Sequence, residues 1–155
     1  MQASAGILVY RFKNDKLEVL LGHMGGPFWK NKDERAWTII KGEYDKEEDP
    51  FQAAIREFVE ETGFKPGGDF IELDQIKQSA NKVVKCWALE QDLDPDKIES
   101  NYFELEWPPN SGQIQKFTEI DRAEWFELKI AYQKIIKGQT ELLDQLSSRL
   151  DYNKR

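Results

Sequence analysis

The chain has 155 residues, 39% hydrophobic and 33% charged, with 22 basic and 29 acidic side chains giving a formal net charge of −7. That mix supplies a core for one globular domain and excludes disordered and fibrous classes. No apolar run approaches the ~18 residues of a membrane span, no secretory leader pattern opens the chain, and a single cysteine (Cys86) and single histidine (His23) exclude an intrachain disulfide and a Cys- or His-built metal site. The expected setting is the cytoplasm.

Ser4 to Phe12 and Lys16 to Gly22 read as two strands joined at Asn14-Asp15. A loop from His23 to Arg35 follows, with Gly25-Gly26-Pro27, Phe28, Trp29 and the cations Lys30, Lys32 and Arg35, and leads into the short apolar segment Trp37 to Ile40. Asp49-Pro50 gives an N-cap and a first-turn proline. Phe51, Ala54, Ile55, Phe58 and Val59 then recur at helical spacing as the core-facing side, up to a stop at Thr62-Gly63. Asp69 to Ile76, Lys82 to Leu89, Tyr102 to Trp107 and Ile120 to Phe126 alternate as strands. The helical period returns from Leu128, broken at Gly138 and resumed through Leu142, Leu143, Leu146 and Leu150. Strands on both sides of a central helix, with helices at the end, predict an α/β (α+β) domain with a mixed sheet between helices over 1–150, and a frayed tail over 151–155.

The charge is concentrated. Between Gly42 and Phe64 stand eight acidic residues and two basic ones, a net −6, leaving −1 for the rest of the chain. Within that segment Glu57, Glu60 and Glu61 fall inside about 100° of one helical face, where each like-charged pair costs about 0.2–0.5 kcal/mol. Glu48 precedes the helix, and Arg56 lies four residues before Glu60. Hard oxygen donors at this spacing suit Mg²⁺ or Mn²⁺, with Arg56 holding the carboxylates in place. A solvated acidic face with a surface ion pair has the same spacing, and spacing alone leaves both open.

Gly42, five residues, Glu48, seven residues and then Arg56-Glu57-Phe58-Val59-Glu60-Glu61-Thr62-Gly63-Phe64 resembles the Nudix box, with every defining position filled. The preceding strands and the late Glu119…Glu124-Trp125-Phe126 segment extend the likeness over nearly the whole chain. The resemblance implies an α/β/α sandwich that hydrolyses a nucleoside diphosphate linked to another group, using Mg²⁺ or Mn²⁺. It implies Glu57, Glu60 and Glu61 as metal ligands with the Lys41 backbone carbonyl, Arg56 and Glu48 as the residues that orient them, and Gly42 as the residue that permits a tight return of the loop. The general base it implies is a box glutamate, here Glu60, or a later one, here Glu119, with Glu104 and Glu106 behind.

Ala36-Trp37-Thr38-Ile39-Ile40-Lys41-Gly42 resembles the Trp-x-x-Pro-Lys-Gly approach of the diadenosine polyphosphate branch and departs from it at Ile40. The expected substrate is therefore a dinucleoside polyphosphate such as diadenosine tetraphosphate. The alternatives are a nucleoside triphosphate, ADP-ribose, or a noncatalytic nucleotide-binding role. Lys30, Lys32, Arg35 and Lys41 are candidate phosphate contacts, and Tyr102, Trp107 and Phe117 a candidate base-binding wall. Trp29, His23 and Cys86 read as structural. The acidic balance and the lack of a basic stripe argue against DNA, while a capped RNA end stays open as a substrate; no segment identifies a dimer surface.

Overall fold

A computed structural model describes residues 1–152. The first hairpin joins β1 (Gln2–Lys13) to β2 (Lys16–Met24). Asn14 and Asp15 take φ of 53° and 65°, the left-handed pair that matches strand twist in a two-residue turn. Short strands β3 (Trp37–Thr38) and β4 (Ile40–Glu43) then pair antiparallel with β2 and β1 respectively. Helix α1 (Pro50–Thr62) follows. The predicted strand from Asp69 divides into β5 (Phe70–Glu72) and β6 (Ile76–Ser79), both antiparallel to β7 (Lys82–Glu90).

Strand β7 lies parallel to β1 from Gln2↔Lys82 to Tyr10↔Glu90, which makes the sheet mixed. A two-stranded ribbon, β8 (Tyr102–Glu106) and β9 (Ile114–Thr118), stands apart from it. β10 (Ile120–Glu127) closes the eight-stranded sheet against β2, and α2 (Leu128–Lys134) and α3 (Thr140–Arg149) complete the chain.

The alternation of β1 explains the layering. Ala5, Ile7 and Val9 face one core with Ala53, Ala54 and Phe58 of α1, while Leu8 and Tyr10 face the other with Leu142, Leu143 and Leu146 of α3. The sheet is thus sandwiched between α1 and the α2/α3 pair, as the sequence predicts. Val59 departs from its assigned face and is 42% exposed. Helix α2 ends before Ile135, which turns extended, bridges to Trp37 and is fully buried.

His23 is buried, with Nδ1 2.9 Å from Asp121 Oδ1 and Nε2 2.6 Å from the Lys32 carbonyl, and so ties the long loop to β10. At the C-terminus Tyr152 donates its backbone N–H to the Ser147 carbonyl; residues 153–155 of the predicted tail lie outside the described residues. No helix among the described residues is long and apolar enough to cross a membrane.

Asp33 staples the other end of this loop, accepting from Trp37 Nε1 at 3.0 Å and pairing with the Lys134 ammonium. Lys134 first, and then the Trp37 indole, hold its carboxyl below the ordinary range. A depressed carboxylate contributes stability that is present above its unfolded pKa and lost as pH falls through the folded one. Urea melts of wild type and Asp33→Asn should therefore differ near neutral pH and converge in acid, once the folded-state carboxyl is protonated; the side chain is 58% exposed, so the gap is under about 1 kcal/mol. A gap that persists in acid would show that the ion pair is not its source.

Candidate active site

The box helix begins where Asp49 Oδ2 accepts from the Gln52 N–H at 3.0 Å and ends at Gly63, whose φ of 76° few side chains tolerate. Burying Ala53, Ala54 and Phe58 turns Arg56, Glu57, Glu60 and Glu61 toward β4 and the loop before β10. There a cavity of about 640 Å³ is lined by Glu57, Glu60 and Glu61 from α1, Lys41, Gly42 and Glu43 from β4, Ser4 from β1, and Asn101, Tyr102 and Glu119.

Arg56 organises one side of this set. Its Nε and Nη2 meet the two oxygens of Glu48 at 2.8 and 2.9 Å, while Nη1 donates to Glu57 at 2.9 Å and reaches Glu60 at 3.3 Å. The forked contact to Glu48 is the geometry a guanidinium favours, and it holds the Glu48 carboxyl below its ordinary range. Arg56 thus contacts three carboxylates at once, Glu48, Glu57 and Glu60.

Glu61 is 4% exposed, and burial pushes its carboxyl up to about 7 despite the hydrogen bond from Ser100 Oγ at 2.8 Å; Glu119, Glu57 and Glu60 add to the rise. Desolvation also raises Glu57 against the pull of Arg56. Across the cavity Lys41 is half-buried, and desolvation followed by Lys82 lowers its pKa. Carboxylates crowded and desolvated in this way gain from a hard cation, so the donor set fits Mg²⁺ or Mn²⁺ in its chemistry. Among the described residues no three such side chains surround a common point, and Arg56 holds Glu57 and Glu60 through its own contacts.

Gly42 does a different job from the tight return expected of it. It stands within β4, paired with Ala5, and takes no left-handed φ. A Cβ there would meet the carboxyl carbon and both oxygens of Glu57, so the missing side chain is what lets Glu57 lie against the strand.

Of the predicted phosphate contacts, Lys41 lines the cavity and the other three do not. Lys32 lies over the Trp29 ring at 5.0 Å, and Arg35 Nη1 donates to the carbonyls of Tyr132 and Ile135, capping α2. Lys30 lines a separate pocket with Trp107 and Phe117, whereas Tyr102 belongs to the carboxylate cavity, so the predicted base wall is divided. Sequence reasoning missed Ser100 and Glu43. Glu43 was accessible from strand alternation, since it lies two residues from Lys41 on the same face. Ser100, in a loop 39 residues from Glu61, carried no local signal.

The sequence matches the NUDIX domain family over residues 1–146. The fold is similar to the C. elegans Ap4A hydrolase in a binary complex, 26% identical with a TM-score of 0.66 over 97% of this chain and 98% of that one. It also resembles the NUDIX domain of Shewanella oneidensis NrtR complexed with ADP ribose, 16% identical with a TM-score of 0.64 over 96% and 87%. Among curated proteins, an octanoyltransferase of Myxococcus xanthus is 29% identical over 99 residues, 64% of this chain and 25% of that protein's length. With the carboxylate cavity built from the box segment and the family match spanning nearly the whole sequence, the chain belongs to the NUDIX domain family.

Proposed function

We propose that the protein hydrolyses a dinucleoside polyphosphate, with diadenosine tetraphosphate as the leading substrate and Mg²⁺ or Mn²⁺ as the metal. The observation that carries this reading is the convergence of Glu57, Glu60, Glu61 and Glu119 with Lys41 on one cavity. Likeness over nearly the full length of an Ap4A hydrolase supports the substrate class. Residues 1–150 act as one catalytic unit in this proposal.

Glu57, Glu60, Glu61 and the Lys41 carbonyl would hold the ion, which when bound neutralises phosphate charge and makes water more acidic. Glu48 and Arg56 set the orientation of Glu57 and Glu60 through the contacts described above. The Lys41 ammonium offers the polyphosphate a positive charge inside an otherwise acidic cavity. The oxygen of a water forms a bond to phosphorus as the bridging P–O bond breaks, and the Glu60 carboxylate takes the water's proton. Glu119 is the second candidate for that proton, because it faces the same cavity with no ion pair among the described residues.

A panel of diadenosine tetraphosphate, ATP, ADP-ribose and capped RNA, resolved by product in Mg²⁺, tests the reading. AMP plus ATP is the expected product pair. Glu60→Gln should lower kcat by about 100-fold or more, and Glu119→Gln by less. The reverse order moves the base to Glu119, and turnover of ADP-ribose or ATP alone reassigns the substrate.

A further inference from the structure

A second pocket, of about 560 Å³, opens beside the carboxylate cavity, between the long loop and the β8–β9 ribbon. We propose that it is the subsite for the second nucleoside of the substrate, a purine stacked against Trp107 with its phosphate near Lys30. The proposal rests on the dinucleoside reading above and extends it, since such a substrate has two bases and the carboxylate cavity offers one aromatic, Tyr102.

The pocket is built rather than incidental. Gly25 and Gly26 carry the loop against the ribbon: a Cβ on Gly25 would strike the Thr118 carbonyl, and one on Gly26, whose φ is 93°, would come within 2.9 Å of the Phe103 ring. The buried His23 engages Asp121, which lines the pocket, and the carbonyl of Lys32 in the long loop. A sheet strand, a loop and the ribbon are thereby held in one arrangement.

The chemistry of the lining matches a nucleoside phosphate. Trp107 and Phe117 supply flat apolar surface, and Phe28, 60% exposed, stands edge-on to Trp107 at 5.3 Å on the rim. Lys30 makes no ion pair among the described residues, so its ammonium is available to a phosphate. Asp121 uses Oδ1 for His23 and keeps Oδ2 for an exocyclic amino group of a base. Gln115 gives its amide N–H to the Trp107 carbonyl at 2.7 Å and keeps its amide oxygen as an acceptor.

Continuity with the reacting centre is covalent. Thr118 lines this pocket, the next residue, Glu119, lines the carboxylate cavity, and the Gly25 N–H donates to the Glu119 carbonyl at 2.9 Å. The two cavities therefore border the same backbone segment, Thr118-Glu119. The volume lies within the ~300–1,000 Å³ range of small-molecule sites.

The test is calorimetric titration of the full chain with AMP in Mg²⁺, using wild type, Trp107→Ala, Trp107→Phe, Lys30→Ala and Glu57→Gln. Loss of a stacking aromatic should weaken AMP by about 5- to 150-fold in Trp107→Ala, while Trp107→Phe keeps most of the affinity. Lys30→Ala should weaken AMP but not adenosine, and Glu57→Gln should bind as wild type does. Loss of affinity in Glu57→Gln with none in Trp107→Ala, or no binding of AMP at millimolar concentration, overturns the subsite. Because binding is read without turnover, AMP binding at Trp107 with no hydrolysis of any dinucleoside polyphosphate would sink the substrate assignment and leave the subsite standing.

Discussion

Gly42→Ala is expected to lower turnover by about 10–100-fold while leaving the fold intact. The added methyl would occupy the position of the Glu57 carboxyl group. The strand cannot yield easily, because Gly42 is held in register opposite Ala5 and its neighbours Lys41 and Glu43 pair with Gly6 and Ser4. Glu57 must therefore rotate away, breaking its 2.9 Å contact with Arg56 and leaving the cavity. No left-handed φ is required at this position, so alanine should cost the backbone little, and the melting temperature should move by only a few degrees. Steady-state kinetics across a metal titration would show the loss as weaker metal dependence together with lower kcat. Turnover within about threefold of wild type would mean that Glu57 works from another position.

Glu61→Gln should separate stability from activity in the opposite direction. Its carboxyl is 4% exposed among three other glutamates, with one neutral hydrogen bond from Ser100 and no cation in contact. Removing an uncompensated buried charge while keeping an acceptor for Ser100 relieves a cost of about 1–3 kcal/mol. For a chain of this size that corresponds to roughly 2–4 °C in melting temperature per kcal/mol, measured in EDTA. The same change removes one proposed metal ligand, so turnover should fall by about 100-fold and Mg²⁺ should stabilise the variant less than wild type. A variant less stable than wild type in EDTA would show that the ionised carboxylate contributes to the fold.

How much of this was legible in the sequence depends on how local each signal is. Helix α1 was readable because its cap, its proline, its apolar spacing and its terminal glycine all lie within 15 residues. The three helical glutamates were readable for the same reason. The ribbon strand β9 was not, since Ile114 is 61% exposed and Phe117 half-buried, and a strand that buries neither face carries little alternation. Ser100 and the contact of Gly42 with Glu57 exist only once β4, α1 and the segment before β10 are packed together. The division of the candidate lysines is likewise tertiary: Arg35 and Lys32 resemble Lys30 in the sequence, but one caps a helix and another covers an indole.

The pairing of Ala5 with Gly42 has a consequence for quality control of the folded protein. A displacement of β4 by one residue along β1 would set Lys41 or Glu43 where Glu57 needs an empty strand position, and would turn the remaining side chains of β4 to the opposite layer. Such molecules would retain their secondary structure and much of their core, and would look native by circular dichroism. Their defect would surface as a fraction of chains that never responds to metal or substrate, so active-site titration, rather than a spectrum, is the measure of correctly folded material.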